Sequence, residues 1–504
     1  MTLSKPLMKD ILASIVVLLV AIPLCLGISV AVGLPPTTGL IAGIIGGLVV
    51  SSLGGAPLQV SGPAAGLITI VWEIVQTHGV EHLGIIVLSA GFLQVVFSYL
   101  RLGLWFRAVS PAIIHGMLAG IGLLIFASQF HVMVDDLPQK SWFENVIQIP
   151  ASLLKGLFAM NGNTHHLAAM IGVLTIAIIA LWKFLPKSVR VVPAPLVAVL
   201  ASALVADVLN FPIKFVEVPQ NLWADINWIT WDDFGYVWKD TALASVLTVA
   251  IVASMESLLT AVSIDKLHSG ERANYDKELR AQGIGNLLAG LFGALPITGV
   301  IVRSAANIQA GAVSRLSGVL HGLWLLVFLV AFPSVLGMIP VSCLAAILVY
   351  TGYKLVHTEN IKDLWAVGKS EFAIYVITAL SIVFTSLLEG IIIGVVLTAA
   401  KFMWNLSNLK IIANQLPGDE NVYIQLEGNA NFVCLPRIAT VLETLPDGKR
   451  VHIALNRVAY IDHSCLEFLT TWQSQYQERG GMVLIEGDLS IGHQCVLPMM
   501  AESQ

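Results

Sequence analysis

Charge is scarce in this chain. Asp, Glu, Lys and Arg make up only 12% of its 504 residues, hydrophobic residues make up 56%, and the mean hydropathy is +0.82. A soluble protein of this length needs far more polar surface, so a water-soluble globular fold is excluded and the chain is placed in lipid. Basic residues neither dominate nor cluster: 27 Lys and Arg stand against 32 Asp and Glu, the net charge is -5, and the cations are spread over short loops. Nucleic acid is thereby excluded as a partner. Cysteine is also sparse. Cys25, Cys343, Cys434, Cys465 and Cys495 are odd in number and lack CxxC spacing, so they read as packing residues, without a disulfide framework or a zinc site. The His165-His166 pair opens an apolar run with no third ligand nearby, and neither a metal nor a cofactor is assigned. Lys5 and Lys9 precede an apolar run of about twenty residues, long enough to span and read as a first helix, not a cleaved signal.

What the chain has in abundance is recurring hydrophobic stretches. About fourteen candidate spans or half-spans centre near Pro23, Gly46, Leu67, Leu93, Leu118, Val173, Val199, Val252, Leu288, Ala305, Val327, Ala346, Leu380 and Gly394. Most Lys and Arg of the connecting loops fall on one side of this count, from Lys5 and Lys9 to Lys369 and Lys401, against Lys140, Lys155, Lys214 and Lys239 on the other. The positive-inside rule makes the first side cytoplasmic, so both ends of the membrane domain are expected there, in the inner (plasma) membrane. Trp223, Trp228, Trp231 and Trp238 crowd one outer loop, as expected of a segment lying at the headgroup level. After Trp404 the composition changes. Polar residues, β-branched runs at Val422 to Leu426, Val451 to Leu455 and Met482 to Ile485, and helix-like pieces at Leu435 to Thr444 and Cys465 to Glu478 predict a small cytoplasmic α/β domain. The expected domains are therefore residues 1–407 in the membrane and 408–504 outside it, with the tail from Ile491 untethered.

Two interrupted segments repeat each other. Gapless alignment of GGLVVSSLGGAPLQVSGP, from Gly46, with GIGNLLAGLFGALPITGV, from Gly283, pairs Gly46 with Gly283, Leu58 with Leu295, Ser61 with Thr298 and Gly62 with Gly299. Seven segments separate the two, an odd shift, so the halves are expected to be inverted across the membrane. Pro57, Pro63 and Pro296, with Gly299, break a continuous helix and free backbone N–H groups near the midplane. Ser61 and Thr298 are natural N-caps for the half-helices that follow. Opposed helix N-termini make a cavity suited to a small anion.

Ionisable residues inside spans are costly and point to function. Glu256, in ASVLTVAIVASMESLLTAV, lies deep in a span, with Thr260 one turn later on the same face. A carboxylate beside an anion site does not attract the anion; it reads as a carrier of a co-transported proton, as a sodium ligand, or as a partner of Arg303. Arg303, four residues past Gly299, could add its charge to the anion site, pair with Glu256, or snorkel to the interface. Glu73 and His115 lie near span ends and read as packing or interfacial groups. The Gly39/Gly43/Gly47 and Gly116/Gly120 spacings permit close helix contact.

AIPLCLGISVAVGLPPTTGLIAGIIGG at Ala21 to Gly47, LQVSGPAAG at Leu58 to Gly66 and the stretch from Gly283 to Gly318 resemble the SulP family, the sulfate-permease-like anion transporters related to the mammalian solute-carrier-26 group. VAYIDHSCLEFL at Val458 to Leu469 resembles that family's STAS domain. The resemblance implies an α-helical polytopic membrane protein of fourteen segments as seven-plus-seven inverted repeats, forming core and gate subdomains with an elevator-type motion, commonly as a homodimer. It implies a substrate site at Cys25, Ser61, Gly62, Thr298 and Gly299, with Glu256 in the eighth span; Arg303 joins the expected substrate site and Thr260 joins Glu256 in coupling the anion to H+ or Na+ by their own positions. The cyanobacterial sodium-dependent bicarbonate members carry Asp before Ser-Leu-Leu-Thr; here the residue is Glu256, which is typical of proton-coupled members. Leu24-Cys25-Leu26 lacks the Gln or Tyr of many sulfate members, so bicarbonate is the first choice, with sulfate or a dicarboxylate, or an uncoupled channel or exchanger, as alternatives. Asp462-His463-Ser464-Cys465 occupies the loop of the regulatory serine in related antagonist domains, and a docking role for a cytoplasmic partner is expected there.

Overall fold

The computed structural model describes residues 5–103, 110–139, 141–158, 164–186, 192–217, 227–230, 233–356, 364–366, 368–407, 409–414 and 421–486. It comprises two compact units, Met1–Val395 and Val396–Gln504. In chain order the first contains α1 (Lys5–Ala31), α2 (Pro36–Ile45), β1 (Ser61–Pro63), α3 (Ile68–His78), α4 (Leu83–Tyr99), α5 (Pro111–Met133), α6 (Trp142–Leu157), α7 (His165–Leu181) and α8 (Ala194–Val208). It continues with α9 (Asp240–Asp265), α10 (Tyr275–Leu291), β2 (Ile297–Gly299), α11 (Ile301–Gln309), α12 (Leu316–Ala331), α13 (Val341–Val356) and α14 (Lys369–Phe384). The last long helix, α15 (Leu387–Leu406), begins in this unit.

Among the described residues six helices are long and apolar enough to cross a membrane: Pro6–Ala31, Pro36–Leu53, Pro111–Met133, His165–Phe184, Thr241–Asp265 and Leu387–Asn405. The second of these joins α2 to a π turn at Gly46–Val50 and a last turn at Ser51–Leu53. One helix was not anticipated. α6 carries Glu144 and Lys155 on one side and exposed Phe143, Ile147, Leu153, Leu154 and Leu157 on the other, a two-faced pattern suited to lying along an interface. Trp228 and Trp238 are exposed, in keeping with the interfacial reading; Trp223, Trp231, Cys495 and the tail from Ile491 lie outside the described residues.

Small residues let the helices approach to backbone contact. A Cβ on Gly91 of α4 would stand 2.5 Å from the Leu287 N of α10, and one on Gly122 of α5 would stand 2.7 Å from the Gly352 O of α13. Gly47 packs directly on Gly322 of α12. Where lipid tails are as apolar as the helices, such dispersion contact drives association.

The second unit is a four-stranded sheet in the order β3 (Leu409–Asn414), β4 (Asn421–Ala430), β5 (Arg450–Ile461), β6 (Met482–Glu486). β3 and β4 are antiparallel; the other pairs are parallel, which requires crossovers, and these are supplied by α16 (Leu435–Glu443) and α17 (His463–Glu478). β3 lies in the stretch whose polarity hid it in the sequence. Asp462 caps α17 by accepting from Cys465 N at 2.8 Å, while Ser464 is exposed one position into the first turn. Leu426, Ile453, Cys465 and Leu469 are central to the domain's own core.

Candidate functional site

The breaks at Pro57, Pro63 and Pro296 leave extended backbone in the interior, and extended backbone away from water must find partners. It finds them in the other break. β1 and β2 pair antiparallel, with Ser61 opposite Gly299, Gly62 opposite Thr298 and Pro63 opposite Ile297. Val300 N donates to Val60 O at 2.9 Å just beyond the pair. Ser61 and Thr298 are therefore strand residues and not N-caps, which corrects the reading from residue type. α3 starts at Ile68 after a tight turn at Ala65–Leu67 and α11 starts at Ile301, and the residues in the cap positions, Leu67 and Val300, make no side-chain cap bond. The hydroxyls are left for other tasks because strand pairing has moved both helix starts downstream.

Buried polar side chains cage this pair. On α10, Glu278, Gln282 and Asn286 fall four residues apart on one face. Asn286 donates to Ile297 O at 3.0 Å and to Gln94 Oε1 at 2.7 Å, and accepts from Ile297 N at 2.6 Å. Gln282 Nε2 donates to Ser61 Oγ at 2.7 Å. From α9, Ser257 Oγ accepts from Gly299 N at 3.1 Å and Thr260 Oγ1 donates to Gly299 O at 2.9 Å. From α11, Ser304 Oγ accepts from Val60 N at 2.9 Å, and Asn307 donates to Leu58 O at 3.1 Å. Glycines leave room for two side chains at the pair itself: the Arg303 guanidinium lies against Gly62 and the Gln59 amide against Gly299, and a Cβ at either position would have to displace that side chain.

Two charges flank the pair without meeting. Arg303 is fully buried, so it does not snorkel. Its Nη2 donates to Cys25 Sγ at 3.3 Å and to Pro63 O at 3.4 Å, and its Nε and Nη1 have no hydrogen-bond partner. Glu256 lies instead against Gly66 in the turn before α3, where a Cβ would stand 2.6 Å from its Oε1. Thr298 Oγ1 donates to Gly299 O at 3.4 Å, and Glu256 Oε2 is buried without a partner. No ion pair joins Glu256 to Arg303 among the described residues, because the two occupy different glycine-lined faces of the Gly62–Gly66 stretch. All eight site residues named from the sequence thus gather around β1 and β2. The sequence reading missed the α10 row of Glu278, Gln282 and Asn286, whose four-residue spacing on one helix face was the available signal. It also missed His321 of α12, which is fully buried within the electrostatic reach of Arg303, with neither ring nitrogen hydrogen-bonded. Among the described residues no cluster of His, Cys, Asp or Glu could hold a metal ion, and His165 turns to Val134 O instead.

Six membrane-length helices among the described residues, with two short helices, α3 and α11, starting beyond the paired breaks at a polar centre that holds the buried Arg303, define a polytopic membrane transporter. The chain belongs to the sulfate permease family, whose profile matches residues 7–378, and it transports anions; it is not an enzyme. It is 30% identical over 501 residues to the putative sulfate transporter YvdB of Bacillus subtilis, covering 95% of this chain and 91% of that protein. It is 26% identical over 429 residues to the bicarbonate transporter BicA of Picosynechococcus, covering 83% of this chain and 74% of that one. The transmembrane domain of a cyanobacterium bicarbonate transporter BicA matches with a TM-score of 0.65 at 22% identity, covering 78% of this chain and 98% of that one. The murine Solute Carrier 26 family member A9 anion transporter, in the inward-facing state, matches with a TM-score of 0.75 at 15% identity, covering 96% and 86%. At those identities the shared property is the fold.

Proposed function

We propose that this chain is a secondary active symporter of a small inorganic anion, bicarbonate in the first instance, driven by H+ or Na+ through an elevator-type alternating-access movement. The observation that carries the reading is Arg303, a buried guanidinium beside β1 with two unsatisfied nitrogens and, among the described residues, no carboxylate paired with it. An uncompensated buried charge is costly, and a mobile anion supplies the missing partner. Cys25, Ser61, Gly62, Thr298 and Gly299 line the anion's place, with the unpaired first-turn N–H groups of α11 adding to the positive field. Glu256 and Thr260 form a second locus on the other side of β2, where a proton or Na+ neutralises the carboxylate as the anion enters. The antiparallel pairing supports a seven-plus-seven inverted repeat, since the two equivalent breaks run in opposite directions where they meet, as inverted repeats do. The α/β unit is read as a cytoplasmic STAS domain that docks a soluble partner, and the assembly as a homodimer with both termini cytoplasmic in the plasma membrane.

A second reading, sulfate or dicarboxylate import with protons, is favoured by the identity to a putative sulfate transporter. Purified protein in liposomes, offered labelled bicarbonate, sulfate and dicarboxylate under imposed pH or sodium gradients, separates the two. Gradient-driven uptake of one anion is expected, and Glu256→Gln should keep anion binding while losing dependence on the gradient. Wild-type uptake indifferent to both gradients would leave an uncoupled channel or exchanger and remove the symport reading.

A further inference from the structure

Glu278 is the second buried carboxylate near β1, and its surroundings differ in kind from those of Glu256. Its Oε2 accepts from Gly55 N at 2.8 Å and Ala56 N at 2.9 Å, and its Oε1 accepts from Gln59 Nε2 and Gln282 Nε2, both at 2.8 Å. Four N–H donors converge on the two oxygens, and a group that must accept at every position is an ionised carboxylate. Asn274 N donates to Gly55 O at 3.1 Å in the same knot. The carboxylate therefore folds the connection leading from α2 into β1.

It also fixes a direction. Gln282 offers one N–H to Glu278 and the other to Ser61 Oγ, while its Oε1 is buried with no partner. The opposite amide orientation would set the Gln282 oxygen against the carboxylate, which repels it. Because Ser61 Oγ accepts from Gln282, the Ser61 proton is not used in that bond and is free to be given elsewhere. A hydroxyl that accepts one hydrogen bond is polarised into a better donor for the next.

We propose that Glu278 is a positioning residue for the anion site: through Gln282 it holds the Ser61 hydroxyl in the donor sense, so that Ser61 gives its proton to the transported anion. This rests on the reading of Ser61 as an anion ligand. A neutral amide at position 278 would let Gln59 and Gln282 flip, bringing their unpartnered oxygens onto the new NH2 group. The knot would then remain bonded and folded, but Gln282 would present its oxygen to Ser61. Ser61 would turn its proton inward, and the anion would lose a donor.

The test is uptake of labelled sulfate and labelled bicarbonate by proteoliposomes, with melting of the detergent-solubilised protein recorded in parallel. Glu278→Gln should melt close to wild type yet raise KM roughly tenfold, the size of one hydrogen bond to a charged group, with kcat little changed. Ser61→Ala should raise KM by a similar factor, and the double variant should be no worse than either single one. Gln282→Leu, which leaves the Gly55, Ala56 and Gln59 bonds to Glu278 in place, should raise KM in the same direction. Unchanged KM in a folded Glu278→Gln protein, or multiplicative effects of Glu278→Gln and Ser61→Ala, would overturn the proposal. If Glu278→Gln does not fold, Gln282→Leu decides in the same way. Wild-type vesicles that take up neither anion would remove the transport reading and this inference with it.

Discussion

Asn286→Ala should be a severely damaging truncation in the polar cage, and the bonds say by how much. The substitution strands three buried groups: Ile297 N–H, Ile297 C=O and Gln94 Oε1. Pro63 sits opposite Ile297 and has no N–H to offer its carbonyl in compensation. At about 1–3 kcal/mol for each buried group left unsatisfied, and allowing for partial relaxation of Gln94, the cost is about 3–6 kcal/mol. Thr175→Ala is the matched control. It removes a buried hydroxyl bonded to Ile171 O and Ser202 Oγ, both at 2.8 Å, away from the interrupted segments, and should cost about 1 kcal/mol. Both proteins, purified in one detergent, would be melted side by side, with uptake measured after reconstitution. Asn286→Ala should melt well below Thr175→Ala and lose uptake as β2 and Thr298 drift. Equal melting points would refute the reasoning, because they would mean that the pairing with β1 and the Ser257 and Thr260 bonds hold β2 without Asn286.

Other expectations follow from the same geometry. Arg303→Met removes an unpaired buried charge, so the anion-free protein should be as stable as wild type or more so, while anion-dependent stabilisation, about 2.7 kcal/mol at a hundred times Kd for wild type, should vanish; a large loss of anion-free stability would show that the protein itself satisfies the guanidinium. Outside the spans, burial pushes the Asp136 carboxyl up, but Lys155 at 2.7 Å, the Leu137 amide at 3.0 Å and Ser152 at 3.1 Å outweigh it and hold it below the usual carboxylate range. Its folded pKa being depressed, the link from the α5–α6 loop to α6 contributes stability above the ordinary pKa, near 4, and loses it as pH falls through the lower folded value. Hydrogen exchange around Leu137 should rise on acidification in wild type and be high at every pH in Asp136→Asn; a flat wild-type profile would contradict this. In the α/β unit, burial, then the Asp462 hydrogen bond and charge, then Cys434, push the Cys465 thiol up to about 12. A maleimide at pH 8 should therefore leave Cys465 unmodified in the native protein, as read by mass spectrometry, and rapid native labelling would show the core to be open there.

The residence in lipid, the positions of the apolar helices and the two interruptions were legible in the sequence because each rests on local physics: hydropathy, helix length, and the inability of proline to continue a helix. The same holds for the α/β unit after Trp404, where alternation and β-branching mark β4, β5 and β6. Residue identity also brought Ser61, Thr298, Glu256, Arg303 and Cys25 into view, since polar groups and small breaks stand out against an apolar background. What those residues do to one another was settled by contacts across more than two hundred positions of chain. The choice of Ser61 and Thr298 as strand residues over caps depends on the two breaks meeting in space, where each offers backbone partners to the other. The separation of Glu256 from Arg303 depends on Gly66 and Gly62 presenting different faces. The roles of Glu278, Gln282 and Asn286 exist only once α10 has packed against β1 and β2, because a hydrogen bond is specified by the meeting of two groups, and a sequence supplies only one of them at a time.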